Sequence, residues 1–330
     1  MKNTILASII IPTFNRCFLL EKTVVSLVNQ IFDYDKFEII VIDNGSTDET
    51  KSVVGKLTIE HPQHTIRYIY DDVPGLLTGR HRGAKEANSD ILCFVDDDIE
   101  AAPCWLQAIC DDFKDPNVHL VGGKCLPIYD VPPPEWEKSL WSNNNDLKMC
   151  LYYSLIDQGD VKKGTDPNYI FGLNFCIRRQ VLLNLGGFHP DCIPKRLQKY
   201  QGDGETGLTM MFAKKGLRAM YDPKALVYHH VTKERLTMEY LESRMFYNGV
   251  GYSYFLVRNH CKPILVFRLL LRAIKIRVRG LLRCSKDAFS ERMRNAYQRG
   301  FDFHQSEIKN DPKLIGWIKK ENYFDYSLPV

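Results

Sequence analysis

The stretch ILCFVDDDI at residues 91–99 decides the fold of this chain. A short apolar run is followed directly by Asp96, Asp97 and Asp98. Such a run, bounded by polar residues, is typical of a strand buried on both faces in the centre of a covered sheet. Three adjacent carboxylates repel one another, so at the end of this strand they indicate a site for a hard divalent cation. The alternative is that Asp98 caps a helix at 103–113, which explains only one of the three aspartates.

Strand-like and helix-like patterns alternate on both sides of this stretch. Apolar, β-branched runs predict strands, and apolar residues spaced by about 3.6 predict helices. The predicted strands are 8–11, 37–42, 66–70, 91–95, 119–121, 169–178 and 217–229, and the predicted helices are 20–31, 77–87 and 103–113. Ser46 to Glu49 form an S-x-x-E capping box, which predicts another helix start. The alternation predicts an α/β fold with a mostly parallel sheet, while residues 125–169 are predicted to form a long, partly irregular connection.

Polar residues follow each of the first four predicted strands. They are Thr13 and Asn15, then Asp43 and Asn44, then Asp71 and Asp72, and finally Asp96 to Asp98. In open parallel sheets, ligands bind beyond the carboxyl ends of the strands. The sequence therefore predicts one ligand site along this edge.

The composition is that of a soluble globular protein. The chain has 330 residues, a net charge of +4 and 45% hydrophobic residues, which excludes a disordered or fibrous protein. Ten cysteines without a CxxC pair indicate reduced thiols in a cytoplasmic protein rather than a disulfide framework or a zinc site. The apolar run near the N-terminus is short and is predicted to be a strand, not a signal peptide. No stretch approaches the ~20 apolar residues of a membrane span.

An ordered set of motifs runs through the first two thirds of the chain. They are SIIIPTFNR (8–16), VIDNGSTDET (41–50), GRHRGAKEANSDILCFVDDD (79–98), FGLNFCIRR (171–179), LGGF (185–188), QGDGETGL (201–208) and YDPKALVYHH (221–230). Together they resemble the family 2 glycosyltransferases, which have the glycosyltransferase-A (GT-A) fold. The resemblance implies a catalytic domain at 1–230, with a nucleotide-sugar-binding half (1–124) and an acceptor-binding half (125–230). Residues 231–330 would form a helical, basic C-terminal extension.

The resemblance also implies an activity. Members of this family move a sugar from a nucleoside-diphosphate sugar, here expected to be a UDP-sugar, to a hydroxyl of a glycan or lipid-linked acceptor, with inversion. By similarity, Pro12, Thr13 and Asn15 lie beneath the nucleotide. Asp43 would accept a hydrogen bond from the base, and Arg80 would position the nucleotide.

The aspartate triplet matches the D-x-D motif of the family. The resemblance implies that Asp96 reaches the ribose or sugar near the metal and that Asp98 holds Mn²⁺ or Mg²⁺. Asp97 either points away or contacts the donor sugar. One of the adjacent histidines, His229 or His230, would approach the metal or the diphosphate, with His229 preferred.

The general base is less well defined by the motifs. The family usually has a Glu-Asp pair at a helix start, and this pair is absent here. Counting back from Gly216 at the helix end puts Glu205 in the position of the base, and Asp203 is the alternative. The carboxylate that is not the base would cap the helix. Two other predictions concern the sugars. Gly172 and Asn174 would lie beneath the acceptor or donor sugar, and Trp136 either stacks on the acceptor sugar or is buried.

The segment 262–286 combines leucine and isoleucine with closely spaced Arg and Lys, and no acidic residue occurs between Arg244 and Lys286. This pattern predicts peripheral contact with an anionic membrane, at the inner face of the cytoplasmic membrane, or else a helix that packs on the protein or in an oligomer. Nucleic-acid binding is not expected, because no stacking aromatics accompany the charge. Two alternatives to a glycosyltransferase remain: an inactive nucleotide-sugar-binding protein and a nucleotidyltransferase. The second is less favoured, because the sequence lacks a glycine-rich phosphate loop with a lysine.

Overall fold

The computed structural model describes residues 5–144, 146–259 and 288–324. One mixed sheet runs through the molecule, with helices on both faces. Its strands are β1 (Ala7–Thr13), β2 (Phe37–Asp43), β3 (Thr65–Tyr70), β4 (Ile91–Val95), β5 (Ile99–Ala101), β6 (Val118–Tyr129), β7 (Ser142–Asn144), β8 (Leu147–Cys150), β9 (Leu155–Asp157), β10 (Lys163–Gly164), β11 (Asn174–Arg178) and β12 (Arg218–Val231). The α-helices are α1 (Cys17–Val28), α2 (Thr50–Glu60), α3 (Leu76–Glu86), α4 (Trp105–Asp112), α5 (Arg179–Asn184), α6 (Glu205–Lys214), α7 (Met238–Arg258), α8 (Ala288–Asn310) and α9 (Lys313–Ile318).

The parallel part of the sheet has the order β3-β2-β1-β4. Thr13 pairs with Asp43 across β1 and β2, so both residues lie at the same edge. β11 then pairs antiparallel with β4, and β6 pairs antiparallel with β11. The predicted strand edge therefore exists, and it is continued by mixed pairing on the side of β11.

Both faces of the parallel strands are buried, which explains their unbroken apolar sequences. Ile9 and Ile11 face a core cluster shared with α1, α2 and α4, whereas Ile10 faces a second cluster shared with α3 and α6. All three isoleucines are fully buried. Burying each such side chain contributes about 1.5–3 kcal/mol relative to exposure, so this strand is a major contributor to the core.

Two local predictions differ from the structure. The connection at 125–169 is partly irregular, as predicted, although β6 continues to Tyr129 and β8 pairs antiparallel with both β7 and β9. Helix α2 begins at Thr50, without a side-chain cap, so the capping box at Ser46 is wrong. Helix α4 begins at Trp105 after Cys104, which excludes Asp98 as its cap.

The C-terminal helices pack directly on the sheet domain. Trp317 and Tyr323 belong to the same core cluster as Phe94 in β4. Helices α7 and α8 approach closely at two glycines: a Cβ on Gly249 or Gly300 would collide with the backbone of the other helix. Among the described residues, no helix combines the length and the apolar character needed to cross a membrane. The basic segment 262–286 lies outside the described residues.

Candidate active site

A cavity of about 780 Å³ opens at the carboxyl ends of the parallel strands. Pro12, Thr13, Asp96 and Asp97 line it from the strand ends, as the sequence predicts. Later segments complete the wall with Tyr152, Tyr153, Ser154, Asp191, Cys192, Arg196, His229, Arg235, Tyr240, Ser243, Arg244 and Tyr247. Its size is within the range of small-molecule sites.

The aspartate triplet is neutralised by arginines of this chain. The Arg16 Nη1 atom lies 3.0 Å from Asp97 Oδ1 and 2.9 Å from Asp98 Oδ2. The Thr13 hydroxyl donates to Asp97 Oδ2 at 2.7 Å. Burial nevertheless raises the pKa of Asp97 to about 6, against the opposing charge of Arg16. Asp97 therefore points towards β1 and α1 rather than away from the site.

Asp98, His229 and Arg235 form a connected, largely buried cluster. Arg235 Nη2 donates to Asp98 Oδ2 at 2.5 Å, and its Nη1 donates to His229 Nε2 at 2.6 Å. His229 Nδ1 donates to the Tyr153 carbonyl at 2.8 Å. Burial opposes the charge of Asp98, but His229 and Arg235 hold its pKa well below the usual range.

The atoms facing each other in this cluster suit a divalent cation. Asp98 Oδ1 is buried without a hydrogen-bond partner and lies 3.2 Å from His229 Nε2. In this structure the Arg235 guanidinium, which bonds both residues, supplies the positive charge beside them. Among the described residues no group of three His, Cys, Asp or Glu side chains could hold a metal, but Mg²⁺-type ions keep water and phosphate ligands and need only one or two protein ligands. His230 instead bonds Glu100 at 2.7 Å.

Asp96 begins a second charge network through Arg80. The Arg80 Nη2 atom lies 3.2 Å from Asp96 Oδ1, and Nη1 lies 3.7 Å from Glu205 Oε2. Arg80 is 2% exposed and lies over the Phe188 ring at 4.9 Å. Gly172 is required beside it, because a Cβ there would lie 2.9 Å from Arg80 Nη1. Gly172 thus makes room for Arg80, and its backbone N–H donates to Glu205 Oε1 at 3.3 Å.

The two base candidates have different surroundings. The Glu205 side chain, at the start of α6, is 25% exposed, and burial raises its pKa while Arg80 lowers it. The Asp203 side chain is 8% exposed and bonds His189 Nδ1 at 2.6 Å. Asp203 is therefore engaged within the core, whereas Glu205 retains exposure beside Arg80.

At the end of β2, Asp43 does not line the cavity. Its Oδ1 accepts from the Ser46 backbone at 2.7 Å and its Oδ2 from the Tyr68 hydroxyl at 2.7 Å. The neighbouring Asn44 does line the cavity, as does Asp72. Asn15, with φ of 53°, holds the loop at 46–48 by accepting from the Thr47 backbone at 2.7 Å.

Two residues expected near the acceptor are built into the protein framework. Asn174 Oδ1 accepts from the Trp105 indole at 2.9 Å, and its Nδ2 donates to the Ala225 carbonyl at 2.8 Å. Trp136 packs against the cluster that contains Leu140 and Tyr153. Neither side chain lines the cavity.

The cavity residues that were not identified from the sequence include the charged side chains Arg16, Asp191, Arg235 and Arg244. The signal for Arg16 was its position in the first motif, directly after the loop expected beneath the nucleotide. The other three lie in segments without a recognised pattern, so no local signal distinguishes them from surface charges.

Solved structures with the same architecture support the GT-A fold. The mannosyltransferase PcManGT from Pyrobaculum calidifontis, in complex with GDP-Man and Mn²⁺, matches with a TM-score of 0.56 and 18% identity over 94% of this chain and 84% of that chain. S. aureus TarS 1-349, in complex with UDP-GlcNAc, matches with a TM-score of 0.52 and 17% identity over 74% of this chain and 66% of that chain. At these identities the likeness shows the fold alone.

Residues 8–185, just over half of the chain, match the model of glycosyl transferase family 2. The chain therefore belongs to that family and is a glycosyltransferase. It is 23% identical over 231 residues to a glucosyl-dolichyl phosphate glucuronosyltransferase of Haloferax volcanii, covering 69% of both chains. It is also 36% identical over 121 residues to a GalNAc(5)-diNAcBac-PP-undecaprenol beta-1,3-glucosyltransferase of Campylobacter jejuni, covering 36% of this chain and 38% of that relative.

Proposed function

We propose that this protein is an inverting, metal-dependent transferase that moves a sugar from a UDP-sugar to a hydroxyl of a glycan or lipid-linked glycan acceptor. The observation that carries this proposal is the pairing of the partnerless Asp98 Oδ1 with His229 Nε2, 3.2 Å apart beside the cavity. The two relatives whose names contain dolichyl phosphate and undecaprenol support a lipid-linked acceptor.

Asp98 and His229 would hold the Mn²⁺ or Mg²⁺ ion. When bound, the metal would supply positive charge to the diphosphate as the leaving group departs. Asp96 would contact the donor sugar or ribose, and the loop at Pro12 and Thr13 would lie beneath the nucleotide. Asn44 and Asp72, rather than Asp43 alone, would provide polar contacts to the base, because they line the cavity.

Glu205 would be the general base. It would accept the proton of the acceptor hydroxyl while that oxygen bonds to the anomeric carbon and the nucleoside diphosphate leaves from the opposite face. A raised pKa makes Glu205 a stronger base than an ordinary carboxylate, and Arg80 keeps it ionised. Inversion follows from this single displacement.

A panel of UDP-sugars and GDP-mannose, with and without Mn²⁺, tests the reaction class by measuring donor binding and slow donor hydrolysis. We expect metal-dependent binding of a nucleotide sugar, and its loss in Asp98→Ala. The proposal fails if no nucleoside diphosphate binds, or if Asp98→Ala retains both metal-dependent binding and hydrolysis.

A pair of isosteric variants tests the base. Glu205→Gln should reduce transfer by about 10²–10⁴-fold while sparing donor binding, because only proton removal is lost. Asp203→Asn, the matched control, should lower stability through its contact with His189 and retain transfer. Normal transfer by Glu205→Gln would exclude Glu205 and assign the role to another carboxylate.

We also propose a cytoplasmic location with peripheral binding to anionic membranes through segment 262–286, on the evidence of its sequence. Co-sedimentation with vesicles containing phosphatidylglycerol should be strong for the full chain and fall when the Arg and Lys residues of 262–286 are replaced by Gln. Equal sedimentation of both proteins would exclude this segment as the membrane contact.

A further inference from the structure

Helix α7 contributes one face to the cavity. Tyr240, Ser243, Arg244 and Tyr247 line the cavity at positions i, i+3, i+4 and i+7, which is the spacing of residues on a single side of a helix. This helix lies outside residues 8–185, which match the family model. The contribution of α7 is therefore additional to the strand-end site.

Arg244 has no partner of its own at this position. Within the described parts of the chain no carboxylate oxygen lies close enough to pair with Arg244, and its buried Nε atom has no hydrogen-bond acceptor. The other central arginines are engaged, since Arg16 and Arg235 bind the aspartate triplet and Arg80 binds Asp96. A guanidinium in a partly buried wall without an anion forgoes the strong, charge-assisted hydrogen bonds that it can form.

The charges that act on Arg244 include Asp191, which lines the same cavity, and Glu205. Burial opposes its charge, whereas Tyr240, Cys192, Asp191 and Glu205 raise its pKa. Glu205 is the proposed base, and the base must contact the acceptor hydroxyl. An anion bound by Arg244 would therefore lie close to the reacting end of the acceptor, and the neighbouring Tyr240 and Tyr247 can supply hydroxyl groups to it.

We propose that Arg244, assisted by Tyr240 and Tyr247, binds an oxyanion group of the acceptor, so that the enzyme selects acceptors with a phosphate or carboxylate near the reacting hydroxyl. This inference rests on the proposed glycosyltransferase reaction and adds the charge of its acceptor. Arg196, exposed at the edge of the same cavity, adds a second positive charge along the path of entry.

The test uses the full-length protein saturated with UDP and Mn²⁺, so that the donor site is filled. Calorimetric titrations with inorganic phosphate and with glucuronate separate the two sources of the oxyanion, and glucose serves as the neutral probe. We expect Arg244→Ala to weaken binding of at least one of the two anions by about tenfold or more, and Arg244→Lys to retain part of it. Arg299→Ala, which removes the same charge from the exposed face of α8, is the matched control and should bind both anions as the unaltered protein does.

UDP affinity, measured in the same experiment, separates the possible failures. If UDP does not bind the unaltered protein, the proposed function itself fails. If UDP binds and Arg244→Ala binds phosphate and glucuronate as tightly as Arg299→Ala, the acceptor inference is overturned. It is also overturned if Arg244→Ala loses UDP affinity, because Arg244 would then contact the donor diphosphate. Arg244→Met, which keeps the apolar stem, replaces the alanine variant if that protein does not fold.

Discussion

Adding one methyl group at Gly172 should disturb both stability and catalysis through Arg80. A Cβ at Gly172 would lie 2.9 Å from Arg80 Nη1 and 3.0 Å from Cζ, and still closer to Nη2. Arg80 cannot move into solvent, because it is 2% exposed and is held between Asp96 and the Phe188 ring. Overpacking of this kind costs about 1–3 kcal/mol, so Gly172→Ala should lower the free energy of unfolding by that amount.

The catalytic effect has a defined direction. Arg80 lowers the pKa of Glu205, which burial raises. If the added methyl group pushes the guanidinium away, the pKa of Glu205 rises further, and the base is protonated over a wider acidic range. The acidic limb of the transfer–pH profile should then move to higher pH, with each pH unit corresponding to about 1.4 kcal/mol of lost charge stabilisation.

Urea unfolding and transfer rates between pH 5 and 9 measure the two effects. Gly55→Ala is the matched control, because Gly55 lies inside α2 with open space around its Cβ position. That variant should gain about 0.5–1 kcal/mol from helix propensity and keep the pH profile. A Gly172→Ala protein with unchanged stability and an unchanged acidic limb would refute the role assigned to the Gly172–Arg80 contact.

Three other predictions follow from buried groups. Arg235→Ala should increase Mn²⁺ affinity in the absence of nucleotide by about tenfold, because it removes the guanidinium that competes for Asp98. Electron paramagnetic resonance of free Mn²⁺ measures this affinity, and weaker binding would contradict the prediction. Burial lowers the pKa of His81 to about 3, below its ordinary 6.5, so the unfolded protein binds a proton here more readily than the folded protein. The free energy of unfolding should therefore be greatest above pH 6.5 and fall towards pH 3 by up to about 1.4 kcal/mol per pH unit. Urea titrations of the unaltered protein and His81→Asn should show a smaller slope in the variant. Gly300→Ala should lower the melting temperature, because the added Cβ would lie 2.8 Å from the Phe246 carbonyl carbon. An unchanged melting temperature would mean that α7 and α8 can move apart without cost.

The first four strands could be predicted well from the sequence because both of their faces are buried. Predicted strand 91–95 agrees with β4, and strand 37–42 is one residue shorter than β2. Continuous β-branched runs are a local signal of that environment. The short strands β7, β8 and β9 were not predicted, because their pairing depends on neighbours in the fold rather than on periodicity within VPPPEW and SNNND.

The site could be predicted only where its residues lie at strand ends. Asp96, Asp97 and Thr13 line the cavity as expected, since the position of a strand end follows from the strand itself. Asp43 differs because Tyr68, on the neighbouring strand, occupies its second oxygen. The guanidinium of Arg235 reaches Asp98 from a loop far along the chain, and such long-range pairing leaves no periodic signal in the sequence.

The packing of the last described residues has a consequence for synthesis in the cell. The Glu321 carbonyl lies against Gly186, and the Tyr323 carbonyl accepts from His81, so this segment closes the core beside the sheet. Until residues 321–324 are synthesised, the core cluster that contains Tyr323 and Phe324 in the folded protein is incomplete. We therefore expect the core to close only late in synthesis, so that chaperone capacity and growth temperature influence the yield of folded enzyme.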